Sequence, residues 1–294
     1  MRGHLGAALV LLLGFAGSAR TADITQCTQK IPAGDIGILQ ADLVCGDAGF
    51  CQEGLDVGDQ PCTSSGPCAP GSACVRFGVR IGNGGRLELN GHSIGGPAAG
   101  SAVDCAGRCT ITGPGSLAGA ELGIHMNRGG HIVVKNLALQ GNVVGIEGDD
   151  PGKLRLSDLT VSQNRVGLLV ADVVAKTVDV SGNTQVGIQS ANLRAIGVTA
   201  NGNGEEGITS FGLRASLHDV SANGNGGAGF VAFGRATIVD STLLGNNGGG
   251  AGFDVLTIRP PRLRNSSCGH SAALVIPPEG GFDAGASWGV CAND

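Results

Sequence analysis

The chain has 294 residues and a mass of 29.1 kDa, with 54 Gly, 11 Pro, 41% hydrophobic and 15% charged residues. That apolar content excludes a disordered chain, and that much Gly excludes a mostly helical one, since each helical Gly costs ~1 kcal/mol. A net charge of −5 with no Tyr, one Trp and eight Phe argues against a nucleic-acid partner, which calls for basic surface and stacking aromatics.

At the start of the chain Arg2 and His4 precede an apolar run from Leu5 to Phe15, followed by Gly17, Ser18 and Ala19. This is the pattern of an export signal cleaved after Ala19. Residues 1–19 are therefore expected to be a signal peptide and the mature protein to be secreted, extracellular or periplasmic. The run is shorter than the ~20 residues of a membrane span, and no later stretch approaches that length.

Ten Cys follow. Cys27, Cys45, Cys51, Cys62, Cys68 and Cys74 crowd the N-terminal quarter, Cys105 and Cys109 form a close pair, and Cys268 and Cys291 bracket the C-terminal end. An even number behind an export signal reads as disulfides, and a metal site would need paired C-x-x-C or His at zinc spacing. The pairings expected are Cys105–Cys109, Cys268–Cys291 and Cys27–Cys45, with the other four left open. Residues 46–74, rich in Gly, Pro, Ser and Cys, show no strand period and read as a disulfide-tied insert or cap. Residues 260–294 lack the repeat described next and read as a C-terminal cap, with Trp288 over the last coil.

Between these ends a seven-residue block recurs, closing on Asn142, Asn164, Asn183, Asn203, Asn225 and Asn246. Its second and fourth positions are apolar, as in Leu137/Leu139, Leu159/Val161 and Val178/Val180, which is strand alternation. The position between is mostly small and polar: Thr160, Asp179, Thr199, Ser221 and Thr242 should form a flat outward row. A Gly-apolar step follows each Asn, from Gly123-Ile124 through Gly229-Phe230 to Gly252-Phe253, and a third apolar run such as Leu154-Arg155-Leu156 completes the repeat. Each repeat of about 21 residues then holds three short strands, and stacked repeats bring the Asn amides into a ladder. Leucine-rich repeats compete, because Leu156 to Asn164 fits their pattern. However, segments such as Gly187-Ile-Gln-Ser190 are strand and turn, where a horseshoe needs a helix or an outer arc. The fold expected over residues 20–259 is all-β: a right-handed parallel β-helix, or solenoid, with disulfide-tied ends.

Leu87-Glu-Leu-Asn-Gly-His-Ser-Ile94, Cys109-Thr-Ile-Thr-Gly-Pro-Gly115 and the Asn/Gly-apolar repeats resemble the secreted bacterial members of the right-handed parallel β-helix proteins with the pectin-lyase-like fold. The resemblance covers about Ile36 to Phe253, without the Cys-rich insert. It implies a protein that binds extracellular polysaccharide and leaves open whether it also modifies it, as a lyase, hydrolase or epimerase. A non-catalytic cell-surface or envelope rod, structural or adhesive, is the alternative.

In that superfamily the reacting groups sit on an outer face. The residues after each Gly-apolar step should point outward: His125, Glu147, Leu169, Gln189, Thr209 and Val231. His125 and Glu147 would lie one coil apart, ~4.8 Å, with Asp149 and Asp150 in the adjoining turn. Together these four could perform acid–base work or hold Ca²⁺, or they could be a solvated face with turn acids. No cofactor beyond that Ca²⁺ is suggested.

The family's catalytic signatures are incomplete. Gly148-Asp149-Asp150 is similar to one fragment of the polygalacturonase pattern, but its GHG is missing. Asp150-Pro151-Gly152-Lys153 breaks the epimerase DPHD. Arg155 and Arg194 exist, yet Leu169 and Val231 interrupt the acidic track of a pectate lyase. His92 reads as a turn residue, His218 and Asp219 face opposite sides of a strand, and Phe211, Phe230, Phe233 and Phe253 could stack on sugar or fill the core. Asn265-Ser266-Ser267 fits a glycosylation sequon.

Overall fold

A computed structural model describes residues 19–47, 49–53, 56–62, 68, 72–127, 129–148, 152–247, 252–276 and 283–294. The expected signal segment up to residue 18, and Asp149 and Asp150, lie outside the described residues.

The chain is a parallel β-solenoid of about 22 residues per turn, with no helix among the described residues. Each turn contributes to three walls. The first holds strands such as Leu122–Met126 and Val144–Gly148. The longer strands His131–Gln140 and Lys153–Ser162 run through the second wall and into the third. The strands of these walls are paired in register with their equivalents one turn away, so that Ile132 meets Leu154, then Val173, then Leu193. Backbone hydrogen bonds therefore run along the rod axis and join turns ~4.8 Å apart.

Alternation decides what fills the rod. Leu154 and Leu156 are buried, whereas Lys153 and Arg155 between them are exposed. In the first wall Ile124, Ile146, Leu168, Ile188, Ile208, Phe230 and Val255 form one fully buried column. Burying each such side chain is worth ~1.5–3 kcal/mol.

The corner between the second and third walls is a single residue in the left-handed region. Asn136, Asp158, Thr177, Asp219, Asp240 and Asn265 occupy it at φ 50–59°, and Gly197 at φ 60°. Asn and Asp tolerate this conformation better than most residues, which accounts for their recurrence at the first position of the repeat block.

The corner from the third wall back to the first carries the Asn ladder. The backbone N–H and the Nδ2 of each Asn both donate to Oδ1 of the next, at 2.8–3.1 Å from Asn142 to Asn246. Spare Nδ2 protons go to main-chain carbonyls, such as Asn183 to Val161 at 3.0 Å and Val180 at 2.9 Å. All six Asn are at most 3% exposed. The ladder ends on Asp254, whose Oδ1 accepts from Asn246 N and Nδ2 at 3.1 and 2.7 Å while Oδ2 accepts from Gly269 N and His270 N. A carboxylate suits a terminus because it only accepts. The Gly that opens each first-wall strand is set by the same stack: a Cβ at Gly187 would lie 2.6 Å from Gly207 O and 2.9 Å from Asn203 Nδ2.

Two sequence expectations are corrected here. The last Gly-apolar step is not Gly252-Phe253: Phe230 pairs with Val255, so Asp254 and Val255 take those places. Phe253 packs instead against a small outer cluster of Ala228, Val231, Leu256, Ala272 and Leu274. The solenoid also passes the expected boundary at residue 259. Arg262–Arg264, Ser267–Cys268 and Ser271–Val275 make one more parallel turn. The inward positions Leu263 and Cys268 keep the alternation there without an Asn-Gly signature.

The ends are closed by other means. At the C-terminal end Asp283–Ser287 pairs antiparallel with Ser271–Val275, and Cys268–Cys291 ties the tail down. The Asp294 carboxylate accepts from the Ser271 hydroxyl and from Val290 N and Cys291 N at 2.8 and 2.7 Å. Burial pushes this carboxyl up, and those hydrogen bonds outweigh it and hold it below its ordinary value. At the N-terminal end, residues 46–74 are not strandless: Gly49–Glu53 pairs antiparallel with both Asp56–Cys62 and the start of Ala73–Ile81. Disulfides Cys51–Cys68 and Cys62–Cys74 hold this insert, Cys27–Cys45 ties it to the first turn, and Cys105–Cys109 staples a corner.

Asn183→Ala should cost about 3 kcal/mol in urea unfolding, because it strands buried donors and acceptors on both neighbouring rungs, while exposed Thr237→Ala should change stability by less than about 0.5 kcal/mol. A second test concerns Glu206, beside the ladder. Burial pushes its carboxyl up, a hydrogen bond from its own backbone opposes this, and Glu205 adds to it. The folded state therefore holds the proton more tightly than the unfolded chain does. The penalty for ionisation is absent below the ordinary value of 4.5, grows as pH rises towards the folded value, and is complete above it. Glu206→Gln should raise the unfolding temperature at neutral pH, and the gain should vanish on acidification below that ordinary value.

Candidate functional site

The outward row of the first wall carries a run of charged residues on consecutive rungs. Arg80 pairs in register with Asp104, Asp104 with His125, and His125 with Glu147. Their neighbours in the strand, Val103, Cys105, Ile124 and Met126, are fully buried in the core, so alternation alone aims the four outward.

Asp104 is the centre of this run. Although outward, its side chain is only 2% exposed, because Arg80 and His125 cover it from the rungs on either side. Its Oδ2 lies 2.8 Å from Arg80 Nη1 and its Oδ1 lies 2.9 Å from His125 Nδ1. An ionised carboxylate can only accept, so Nδ1 carries the proton and the ring is held in one tautomer. His125 keeps 25% of its side chain exposed, and Glu147 is half-buried one rung on.

Beyond Glu147 the row becomes Leu169, Gln189, Thr209 and Val231. Thr209 and Val231 are expected to face solvent, but they are 2% and 0% exposed. The outer cluster with Phe253 and Ala284 covers Val231. A depression of about 220 Å³ next to Glu147 is lined by Gly148, Leu169, Gln189 and Phe211. Phe211 is 42% exposed and tilts against Phe233, with ring centroids 5.0 Å apart. Phe230, by contrast, is core. At the other end of the row Lys30 pairs with Arg80 and its Nζ sits 4.5 Å from the Phe50 ring of the Cys-rich insert. The insert and the C-terminal cluster thus leave the Arg80–Gln189 stretch as the open part of this wall.

The other sequence candidates are scattered. His92 Nδ1 lies 3.6 Å from Asp42. Asp42 is held below its ordinary value by hydrogen bonds from Ser93 first, and by His92. His218 approaches Asp240 of the next turn at 3.4 Å, not its sequence neighbour Asp219. Thr160, Asp179, Thr199, Ser221 and Thr242 do stack in register, and the first three line a shallow groove of about 500 Å³ on the third wall. Asp149 and Asp150 lie outside the described residues. Among the described residues the group of Cys51, Cys62 and Cys68 comes close enough to share a metal, but all three are in disulfides and offer no thiolate.

Arg80 and Asp104 are the members that sequence reasoning missed. Ser101-Ala-Val-Asp-Cys105 lacks the Gly-apolar step by which the outward residues were found. Its in–out phase around Val103 is nevertheless that of Gly123-Ile-His125, and aligning the two would have found Asp104.

No family model matches the chain, and no curated protein matches it. Among solved structures, the A-module of mannuronan C-5 epimerase AlgE4 from Azotobacter vinelandii is similar over 81% of this chain and 80% of that one. The identity is 15% and the TM-score is 0.42. Five disulfides suit an oxidising compartment, and among the described residues no helix is long and apolar enough to cross a membrane.

The buried ion pair gives this site its own test. Asp104→Ala should destabilise the fold by about 3 kcal/mol because it leaves the Arg80 cation without its partner. The double variant Asp104→Leu/Arg80→Met should lose less than the single one, read as a double-mutant cycle in chemical unfolding.

Proposed function

We propose that this chain is a secreted protein that binds an extracellular polysaccharide along its first wall and modifies it by general acid–base chemistry at His125 and Glu147. The observation that carries the reading is the Arg80–Asp104–His125–Glu147 run. A shielded carboxylate fixes the tautomer of a partly exposed imidazole, and a second carboxylate stands one rung away. A His oriented in this way is a suitable proton acceptor or donor near neutral pH. Glu147, one rung on in the same row, is the second acid–base group.

The surroundings support a sugar polymer. The row is straight, and His125, Glu147, Leu169 and Gln189 are each half-buried and reach solvent, so a linear chain can lie along it. Phe211 presents an exposed ring on the depression beside Glu147, and an aromatic face over an apolar floor suits the C–H face of a pyranose. Asp104 acts through His125 as a positioning residue, and Arg80 holds Asp104 from the rung on its other side. If Ca²⁺ takes part, Glu147 with Asp149 and Asp150 is the acidic group that would hold it. Leu169, directly after Glu147, favours the second reading of a non-catalytic surface rod, because it cuts the polar run to one side of the depression.

The test is to incubate the purified chain with acidic and neutral polysaccharides, with and without Ca²⁺. Three products are followed: the ultraviolet absorbance of an unsaturated uronate, new reducing ends, and epimerised sugar signals in proton NMR. One of these should appear and fall by about 100-fold or more in His125→Ala and in Glu147→Gln. Binding without any product would leave the rod reading in place of the catalytic one.

A further inference from the structure

We propose that the second wall is a separate binding face for a linear anionic polysaccharide. The inference shares with the proposed function only the premise that the ligand is a glycan. It uses none of the residues of the first wall.

The charge distribution is the first observation. Arg86, Arg155, Arg194 and Arg262 occupy one outward row of the second wall. Arg108, Lys153, Arg214 and Arg235 occupy the row beside it. These eight are a large share of the 19 Lys and Arg in a chain whose net charge is −5. All eight are exposed, and none takes part in an ion pair among the described residues. The one carboxylate in the two rows, Asp172, accepts a hydrogen bond from Asn192 Nδ2 at 2.8 Å. Unpaired like charges held on a rigid wall repel one another, so a counter-charge that spans several rungs stabilises the face.

The second observation is the response of a neutral neighbour. His131 lies between Arg108 and Lys153 in the same row. Its pKa is lowered by burial first, and then by Arg155, Arg108 and Lys153. The positive field therefore reaches across both rows.

Geometry selects the occupant. A groove of about 420 Å³ runs past Lys153, Arg155, Arg194 and Arg214. Arg155 and Arg194 stand two rungs apart, and between them Val174 is 41% exposed. An alternation of cation and aliphatic surface along a straight axis, at a step of ~4.8 Å, fits an extended sugar chain. Its acidic groups recur at a regular interval, and its rings present C–H faces between them. Guanidinium forks bind carboxylate or sulfate in a bidentate manner. Single-stranded nucleic acid would ask for aromatic platforms between the cations, and no outward residue of these two rows is Phe, Tyr or Trp.

The test measures binding of the full chain to polygalacturonate, to heparin, to neutral dextran and to a single-stranded oligonucleotide, at low and moderate salt. The first two probes separate carboxylate from sulfate as the preferred group. Lys153→Glu/Arg155→Glu/Arg194→Glu should weaken polyanion binding by about tenfold or more. The Gln version of the same triple should fall between this and the unchanged chain, and added salt should weaken binding throughout. Unfolding midpoints confirm that the variants are folded, and the Gln triple serves if the Glu triple is not. Dextran should not bind, and the triple variant should lose affinity for the polyanions whether or not the first-wall pair His125→Ala/Glu147→Gln is also present. Four results would overturn the inference: no binding to either anionic glycan, a folded triple variant that binds as before, tighter binding of the oligonucleotide, or binding lost only with the first-wall variant. Product formation that fails while second-wall binding persists would sink the proposed catalysis and leave this face standing.

Discussion

A buried amide cannot be left without partners, and this one constraint locks the turns of the rod together. Each ladder Asn donates two hydrogen bonds to the Oδ1 of the next, so no turn can be satisfied without its neighbour. The cost of an orphaned buried donor then fixes more than the corner. It sets the register of the strands on either side and demands Gly where the next carbonyl comes within 2.6 Å. It also requires an acceptor at the end of the stack, which Asp254 supplies. Cooperation of this kind is expected of a quasi-one-dimensional fold, in which each repeat is stable only through its neighbours.

Once register is locked, sequence periodicity becomes surface chemistry. Any residue type that recurs at one phase of the repeat is laid out as a straight row at the strand spacing. His125 and Glu147 meet for that reason, although 22 residues separate them, and so do the cations of the second wall. Whole-chain charge is blind to this arrangement. A net charge of −5 argues against a polyanion partner only if charge is evenly spread, and here eight of the 19 Lys and Arg gather in two rows of one wall. The sequence argument against nucleic acid therefore rests on the missing aromatics, not on the charge.

What was legible in the sequence follows the same logic. The solenoid could be read because the Asn and Gly-apolar positions are dictated by close contact and by hydrogen bonding, which few residue types satisfy. Where closure rests on other means the reading failed. The turn at residues 262–275 keeps only the inward apolar positions Leu263 and Cys268, with Ser271 following Val255 in the first-wall column, and Asp254 stands where the Gly of earlier turns would be. At the site, His125 and Glu147 were visible because they follow the repeat signature. Asp104 lies in a turn that lacks it and Arg80 follows Gly78-Val79, a Gly-apolar step ahead of the Asn-closed blocks, and their meaning is relational: an Asp is ordinary until a register places Arg on one side and His on the other. Val231 failed for the opposite reason, since its outward phase was right but the outer cluster that buries it comes from distant residues.

The two ends also decide where chemistry can sit. A parallel stack exposes unpaired strand edges at its termini. Here the N-terminal insert, with Phe50 against Phe77 and Lys30, and the C-terminal antiparallel strand with its disulfide cover them. Both closures also spread over the outer face of the first wall, and they shelter its two extremes. The stretch between them is the part of that wall where a charged run can be partly shielded and still reach solvent. Asp104 needs the first condition and His125 the second. Among the described residues the second wall has no such closures over it, and it presents its cations along most of its length. Shielding that sharpens one polar cluster, and open exposure that lets a row of charges act on a long ligand, are thus assigned to different walls of one rod.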